Sequence, residues 1–273
     1  MAGIRDLVRR YPFITFVLLS YLLSWWPAIT PAMRQSGFVV LPHGPSVAAI
    51  VVTAIVGGGA AVKALLRRLI PRRAHLKWYA LGIGMTIVIT LTAVALNVLL
   101  GGEAPTAQEL ATWPEQIPFF VIAFFLLGAA EELGWRGFGQ QHLQQKRSAL
   151  SAALILSVVG VIWHLPLFLS GSIELPDVPL IFAGYVVYAW LFNSTGGSVL
   201  ITMLAHAANN SVSGEWSSLW FQGADSVRQS ALLAVLWIVA AVVVVALAGR
   251  ELGRSKAEPA AMPMTADQPA AAG

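Results

Sequence analysis

Of 273 residues, 57% are hydrophobic and only 11% are charged, and mean hydropathy is +0.72. These values exclude an ordinary soluble domain and leave an integral membrane protein. Cysteine is absent, which removes disulfide frameworks and thiolate chemistry. The net charge of +4 would suit a nucleic-acid partner, but the basic residues are placed as membrane topology signals.

Crossing a hydrocarbon core takes about 20 mostly apolar residues. Eight segments meet this in chain order: about 12–32, 45–66, 78–100, 117–135, 149–170, 178–193, 197–213 and 230–249. The sixth and seventh are short and are divided only by Asn193-Ser194-Thr195-Gly196-Gly197. Charge decides whether they merge. With the amino terminus inside, only Arg34 and Arg228 of the 17 basic residues fall outside. The acidic Glu103, Glu109, Glu115, Glu174, Asp177, Glu215 and Asp225 line the outer loops. An even number of helices with both termini in the cytoplasm satisfies the positive-inside rule at every loop. The expected fold is therefore all-α and polytopic, with about eight transmembrane helices.

Aromatic pairs mark the predicted span ends, at Trp25-Trp26, Trp78-Tyr79, Trp113 and Trp216/Trp220, as an interfacial belt would. The basic amino terminus followed by an apolar stretch is signal-like, but the stretch is too long and lacks a small-x-small site, so it is expected to be retained. Residues 1–254 read as one membrane domain. The Ala- and Pro-rich tail 255–273 reads as disordered.

The fourth span ends in Glu131-Glu132-Leu133-Gly134-Trp135-Arg136. A charge at a bilayer centre costs roughly 2.5–3.5 kcal/mol even on insertion scales, so this cluster must face protein or water. Glu132 and Arg136 are four residues apart and can pair along their helix, whereas Glu131 is rotated by about 100° and points elsewhere. His164 lies in the fifth span. His206 and Asn210 share one face of the seventh. His43, His75 and His142 fall in loops and read as solvated. A rise of about 1.5 Å per residue puts Glu131 roughly 9–13 Å from the cytoplasmic boundary, His206 near 13 Å and His164 at about 17–22 Å. Convergence of the three is compatible with this arithmetic but not demanded by it.

These residues resemble the motifs of the CPBP (Abi) family of intramembrane proteases, which includes the CAAX prenyl endopeptidases. Glu-Glu-x-x-x-Arg matches Glu131, Glu132 and Arg136. Phe-x-x-x-His maps onto Gly160 and His164, without the aromatic. His-x-x-x-Asn matches His206 and Asn210, preceded by a similar Asn193–Ser198 loop. The resemblance covers about residues 117–212. It implies Glu131 as general base acting on water together with His164. It also implies His206 and Asn210 as the oxyanion-stabilising pair, with Glu132 and Arg136 supporting the site. It favours a glutamate-dependent hydrolase without a metal. In the alternative, zinc would be held by Glu131, His164 and His206. The implied substrate is a membrane-associated or lipid-linked peptide, with no nucleic-acid partner, and the implied location is a bacterial cell membrane. Two other functions use the same residues: a non-catalytic scaffold or bacteriocin-immunity protein of this family, and a proton-coupled transporter. A transporter predicts paired broken helices or an internal duplication, and the sequence shows neither.

Overall fold

The computed structural model describes residues 3–70 and 74–255. Arg72, Arg73 and Lys256, and the tail beyond Ser255 expected to be disordered, lie outside them. Within the described residues the regular structure is helical. In chain order the helices are α1 (Ile4–Arg10), α2 (Pro12–Ile29), α3 (Pro31–Gln35), α4 (Gly44–Leu66), α5 (Leu76–Leu99), α6 (Ala107–Ala111) and α7 (Gln116–Leu126). They continue with α8 (Gln141–Gln144), α9 (Ala149–Trp163), α10 (Leu165–Ser170), α11 (Asp177–Ser194), α12 (Val199–Asn209) and α13 (Gly223–Ala248).

Each expected span contains helix, and six helical runs among the described residues are long and apolar enough to cross a membrane. Helices α11 and α12 are not among the six; α12, with 11 residues, rises only about 16 Å. The side-chain distribution is that of a multi-pass membrane protein. Large apolar residues such as Leu22, Ile29, Leu99 and Leu247 are 71–84% exposed, while Ser20, Thr53, Thr90 and Asn97 are fully buried. Outward hydrocarbon and inward polar groups suit lipid as the solvent.

Two packed regions meet at the middle of the molecule. One joins α2, α4 and part of α9 through Phe16, Val52, Phe138 and Leu156. The other joins α5, α11, α12 and α13 through Ala93, Val187, Ala205 and Trp237. Alanines at the α9, α11 and α12 contacts let the backbones approach closely, as small residues do between membrane helices.

Three of the expected spans are interrupted where they carry the motifs. Span 117–135 is not one helix. Helix α7 stops at Leu127, which is extended (φ −109°, ψ −151°); a tight turn Gly128–Glu131 and a π-helical stretch Leu133–Gln140 follow. The break exposes carbonyls that cannot remain unpaired in lipid. Nε2 of His43 donates to the Phe125 carbonyl at 3.0 Å, and Ser46 Oγ donates to that of Ala130. His43 is therefore a capping residue while remaining partly open to its surroundings. His142 is also half-buried, stacked on Phe13 and Phe138. His75 is exposed, as expected.

The fifth span breaks at His164. Pro166 has no N–H and clashes with the preceding turn, so the α9 ladder cannot continue. The Trp163 carbonyl accepts instead from Trp25 Nε1 at 2.9 Å, and one turn earlier Tyr21 Oη donates to the Val159 carbonyl at 2.7 Å. Trp25 is thus a structural donor between α2 and α9, not only a belt residue. The third interruption follows α12, where Asn210–Trp216 is π-helical.

Gly134 shows how tightly these pieces close. A Cβ there would lie 2.4 Å from the Pro45 carbonyl carbon and 2.5 Å from its oxygen. Backbone cannot yield as a side chain tip does. Gly134→Ala is expected to cost about 1–3 kcal/mol or more, read as a lowered unfolding temperature in detergent. Unchanged unfolding would mean that α4 and the π-helical stretch are not in this contact.

Candidate active site

Glu131, Glu132, Arg136, His164, His206 and Asn210 all line one cavity of about 130 Å³. They come from the broken fourth span, the break after α9 and the end of α12, so the helix interruptions deliver the polar side chains to one place. π-turns and broken helices occur often at functional sites because they redirect side chains that a regular helix would keep in register.

The two glutamates have separate surroundings. Glu132 is 1% exposed and fully engaged. Its Oε2 accepts from Arg136 Nε at 3.1 Å, and its Oε1 pairs with His206 Nδ1 at 2.9 Å. The i,i+4 pair expected along this helix is present, and it extends across the fold to α12. Glu131 is 4% exposed and accepts from Trp135 Nε1 at 2.8 Å through Oε2. The rotation between adjacent residues is what separates the two environments.

His164 has its ring fixed by its own helix. Nδ1 lies 2.7 Å from the Gly160 carbonyl. A carbonyl only accepts, so Nδ1 carries the proton, and Nε2 of the neutral ring presents a lone pair. His206 is 19% exposed, the most open of the charged or chargeable groups joined in its network.

Four contributors were not singled out from the sequence. Trp135 lies four residues after Glu131, the same spacing that pairs Glu132 with Arg136, and this repeat is the signal that could have found it. Helix α11 supplies Tyr185 and Tyr188, one turn apart. The Arg136 guanidinium lies over the Tyr185 ring at 4.3 Å and over the Tyr188 ring at 5.8 Å, and it donates to the Tyr185 carbonyl at 3.4 Å. Tyr188 also packs against His206, ring centroids 5.6 Å apart. From α13, Trp237 joins the cavity wall. Its Nε1 and the Oδ1 of neighbouring Asn209 are buried without a protein partner. The wall therefore holds spare hydrogen-bonding capacity, which suits a polar occupant.

The Asn193–Ser198 loop braces the site from behind. Asn193 and Gln144 exchange amide hydrogen bonds at 2.9 and 3.1 Å. Gln140 donates to Gln144 at 2.7 Å and to the Ala149 carbonyl at 3.1 Å. Arg68 donates to the Gly197 carbonyl at 3.2 Å. These bonds tie the glutamate-bearing segment to the start of α9 and the end of α11, and the end of α4 to the start of α12.

A comparison with protein families matches the motif-bearing stretch. Residues 113–212 match the family described as type II CAAX prenyl endopeptidase Rce1-like. A stretch of 89 residues is 32% identical to a CAAX prenyl protease 2 of Methanococcus maripaludis, covering 32% of this chain and 33% of that protein. The chain thus spans about a third of the length of the curated relative it matches. The cavity residues Glu131, Glu132, Arg136, His164, His206 and Asn210 all fall inside the matched segment. Residues 113–212 are thus similar to the type II CAAX prenyl endopeptidase Rce1-like family, the stretch that holds the cavity residues.

Proposed function

We propose that this protein is an intramembrane endopeptidase that hydrolyses peptide bonds with a glutamate-activated water. The observation that carries the reading is the convergence of the three motifs, from three interrupted segments, on one cavity. Glu131, with one oxygen fixed by Trp135, takes a proton from water as the water oxygen attacks the peptide carbonyl carbon. His164 accepts the water's other hydrogen through Nε2 and sets its orientation. The carbonyl π electrons move onto oxygen, and the resulting oxyanion is met by the Asn210 amide and by Nε2–H of a doubly protonated His206. As the carbon–nitrogen bond breaks, Glu131 returns its proton to the leaving amine. General-base catalysis typically contributes about 10²–10⁴-fold and one oxyanion donor about 10²–10³-fold.

The surroundings of the carboxylates support a metal-free reaction. Both Glu132 oxygens and one Glu131 oxygen are already engaged by protein donors. Among the described residues no three His, Asp or Glu side chains are arranged to hold an ion. The zinc alternative would need Glu131, His164 and His206 to converge as ligands. Activity is expected to survive strong chelation; loss of cleavage restored by added zinc, and by no other ion, would overturn this part.

The distribution of basic residues supports eight crossings with both termini in the cytoplasm of a bacterial cell, and a site reached from that side. The substrate class proposed is a membrane-associated or lipid-linked peptide, in keeping with the prenylated substrates named for the relatives. Comparing protein termini by mass spectrometry, in membranes from wild-type and Glu131→Gln cells, tests the reading without a guess at the substrate. Termini present only in the wild type support a protease. Identical terminus sets at equal expression would instead favour a non-catalytic scaffold of the same fold.

A further inference from the structure

We infer that Tyr185, on α11, is a positioning residue of the site, and that Gly160 is the complementary half of the device. The two residues occupy one volume. A Cβ on Gly160 would lie 2.3 Å from Tyr185 Oη, 2.4 Å from Cζ and 2.5 Å from Cε2, so the tyrosine ring tip stands where a residue-160 side chain would be. Tyr185 is 6% exposed, and its hydroxyl is buried without a hydrogen-bond partner. The ring tip, hydroxyl included, fills the space beside Gly160, and no protein group pairs with the hydroxyl.

The ring connects both halves of the site. On one side it meets the backbone of Gly160, whose carbonyl fixes the tautomer of His164. On the other it carries the Arg136 guanidinium at 4.3 Å, and Arg136 holds Glu132. Its ring centroid also lies 6.3 Å from that of Trp135, the donor to Glu131. The position four before His164 lacks an aromatic, and the fold supplies one from a different helix. A ring at this point sets the distance between α9 and the glutamate-bearing stretch, and hence the separation of His164 from Glu131.

The inference rests on the proposed hydrolase for its activity readout but not for its packing readout. Four variants are made: Tyr185→Phe, Tyr185→Ala, Gly160→Phe, and Gly160→Phe with Tyr185→Gly. Cleavage per folded molecule and thermal unfolding are measured on each. Tyr185→Phe is expected to keep stability and cleavage within about threefold of wild type. Tyr185→Ala is expected to lose at least tenfold in kcat with little change in KM. Gly160→Phe alone is expected to lose folded protein, and the double variant to recover it together with cleavage. Wild-type kcat in Tyr185→Ala, or a double variant no more stable than Gly160→Phe, overturns the inference. A Tyr185→Phe variant that folds normally but loses cleavage also overturns it, because the hydroxyl would then be the working group. If wild-type and Glu131→Gln membranes give identical terminus sets, the hydrolase reading fails, while the stability arm still decides the Gly160–Tyr185 pairing.

Discussion

Replacing Glu131 with glutamine is expected to lower peptide cleavage at least 100-fold while leaving the protein folded. Glutamine keeps the shape of the side chain, and its carbonyl oxygen still accepts the Trp135 Nε1–H that now lies 2.8 Å from Oε2. What disappears is the group that can take a proton from water, and general-base contributions are typically about 10²–10⁴-fold. Alanine at the same position would also leave the buried indole N–H unpaired, so the glutamine variant separates chemistry from folding. Cleavage is read from the appearance of new termini or from a membrane-reconstituted peptide assay, with unfolding temperature as the control. Retained cleavage in a well-folded Glu131→Gln protein would sink the assigned mechanism.

Breaking the Glu132–Arg136 pair is expected to affect folding instead. Both side chains are 1% exposed; removing Glu132 leaves the Arg136 charge unpaired in the interior, and removing Arg136 leaves Glu132 with His206 alone. Such changes typically cost about 3–5 kcal/mol, a large part of the stability of an ordinary protein. Glu132→Ala and Arg136→Ala should therefore reduce folded yield and unfolding temperature sharply. Replacing both by apolar residues of similar volume, Glu132→Leu with Arg136→Met, should recover much of the stability. It should not recover cleavage, because Glu132 also holds His206 at 2.9 Å. Single variants that unfold within about 1 kcal/mol of wild type would show that the pair is not structural.

The family's aromatic-x-x-x-His pattern shows where reading along the chain stops. Gly160 departs from it, and along the chain nothing replaces the missing ring. The replacement, Tyr185, is 25 positions away on a helix that the sequence analysis treated only as a short span. Tyr188 was passed over for the same reason. Both are i,i+3 neighbours in an apolar segment, a pattern equally consistent with packing alone. Whether a loop histidine meets solvent, a free carbonyl as His43 does, or an aromatic sandwich as His142 does depends on what another segment brings to it.

By itself the sequence determined the helical membrane architecture. Lipid requires every spanning backbone group to bond within its own segment, and long apolar runs record that directly. It also determined which polar residues are costly at membrane depth, and so singled out Glu131, Glu132, Arg136, His164, His206 and Asn210. Local spacing sufficed for the Glu132–Arg136 pair, since helix geometry alone brings residues four apart together. The tertiary structure decided where the helices break, at Leu127, at His164 and after Asn209. Only Pro166 announces one of these breaks in the chain. The other two depend on donors at the start of α4 and on packing against α5 and α7. Those breaks turn three separate sets of polar side chains into one cavity, and spacing along a straight helix could not have placed them there.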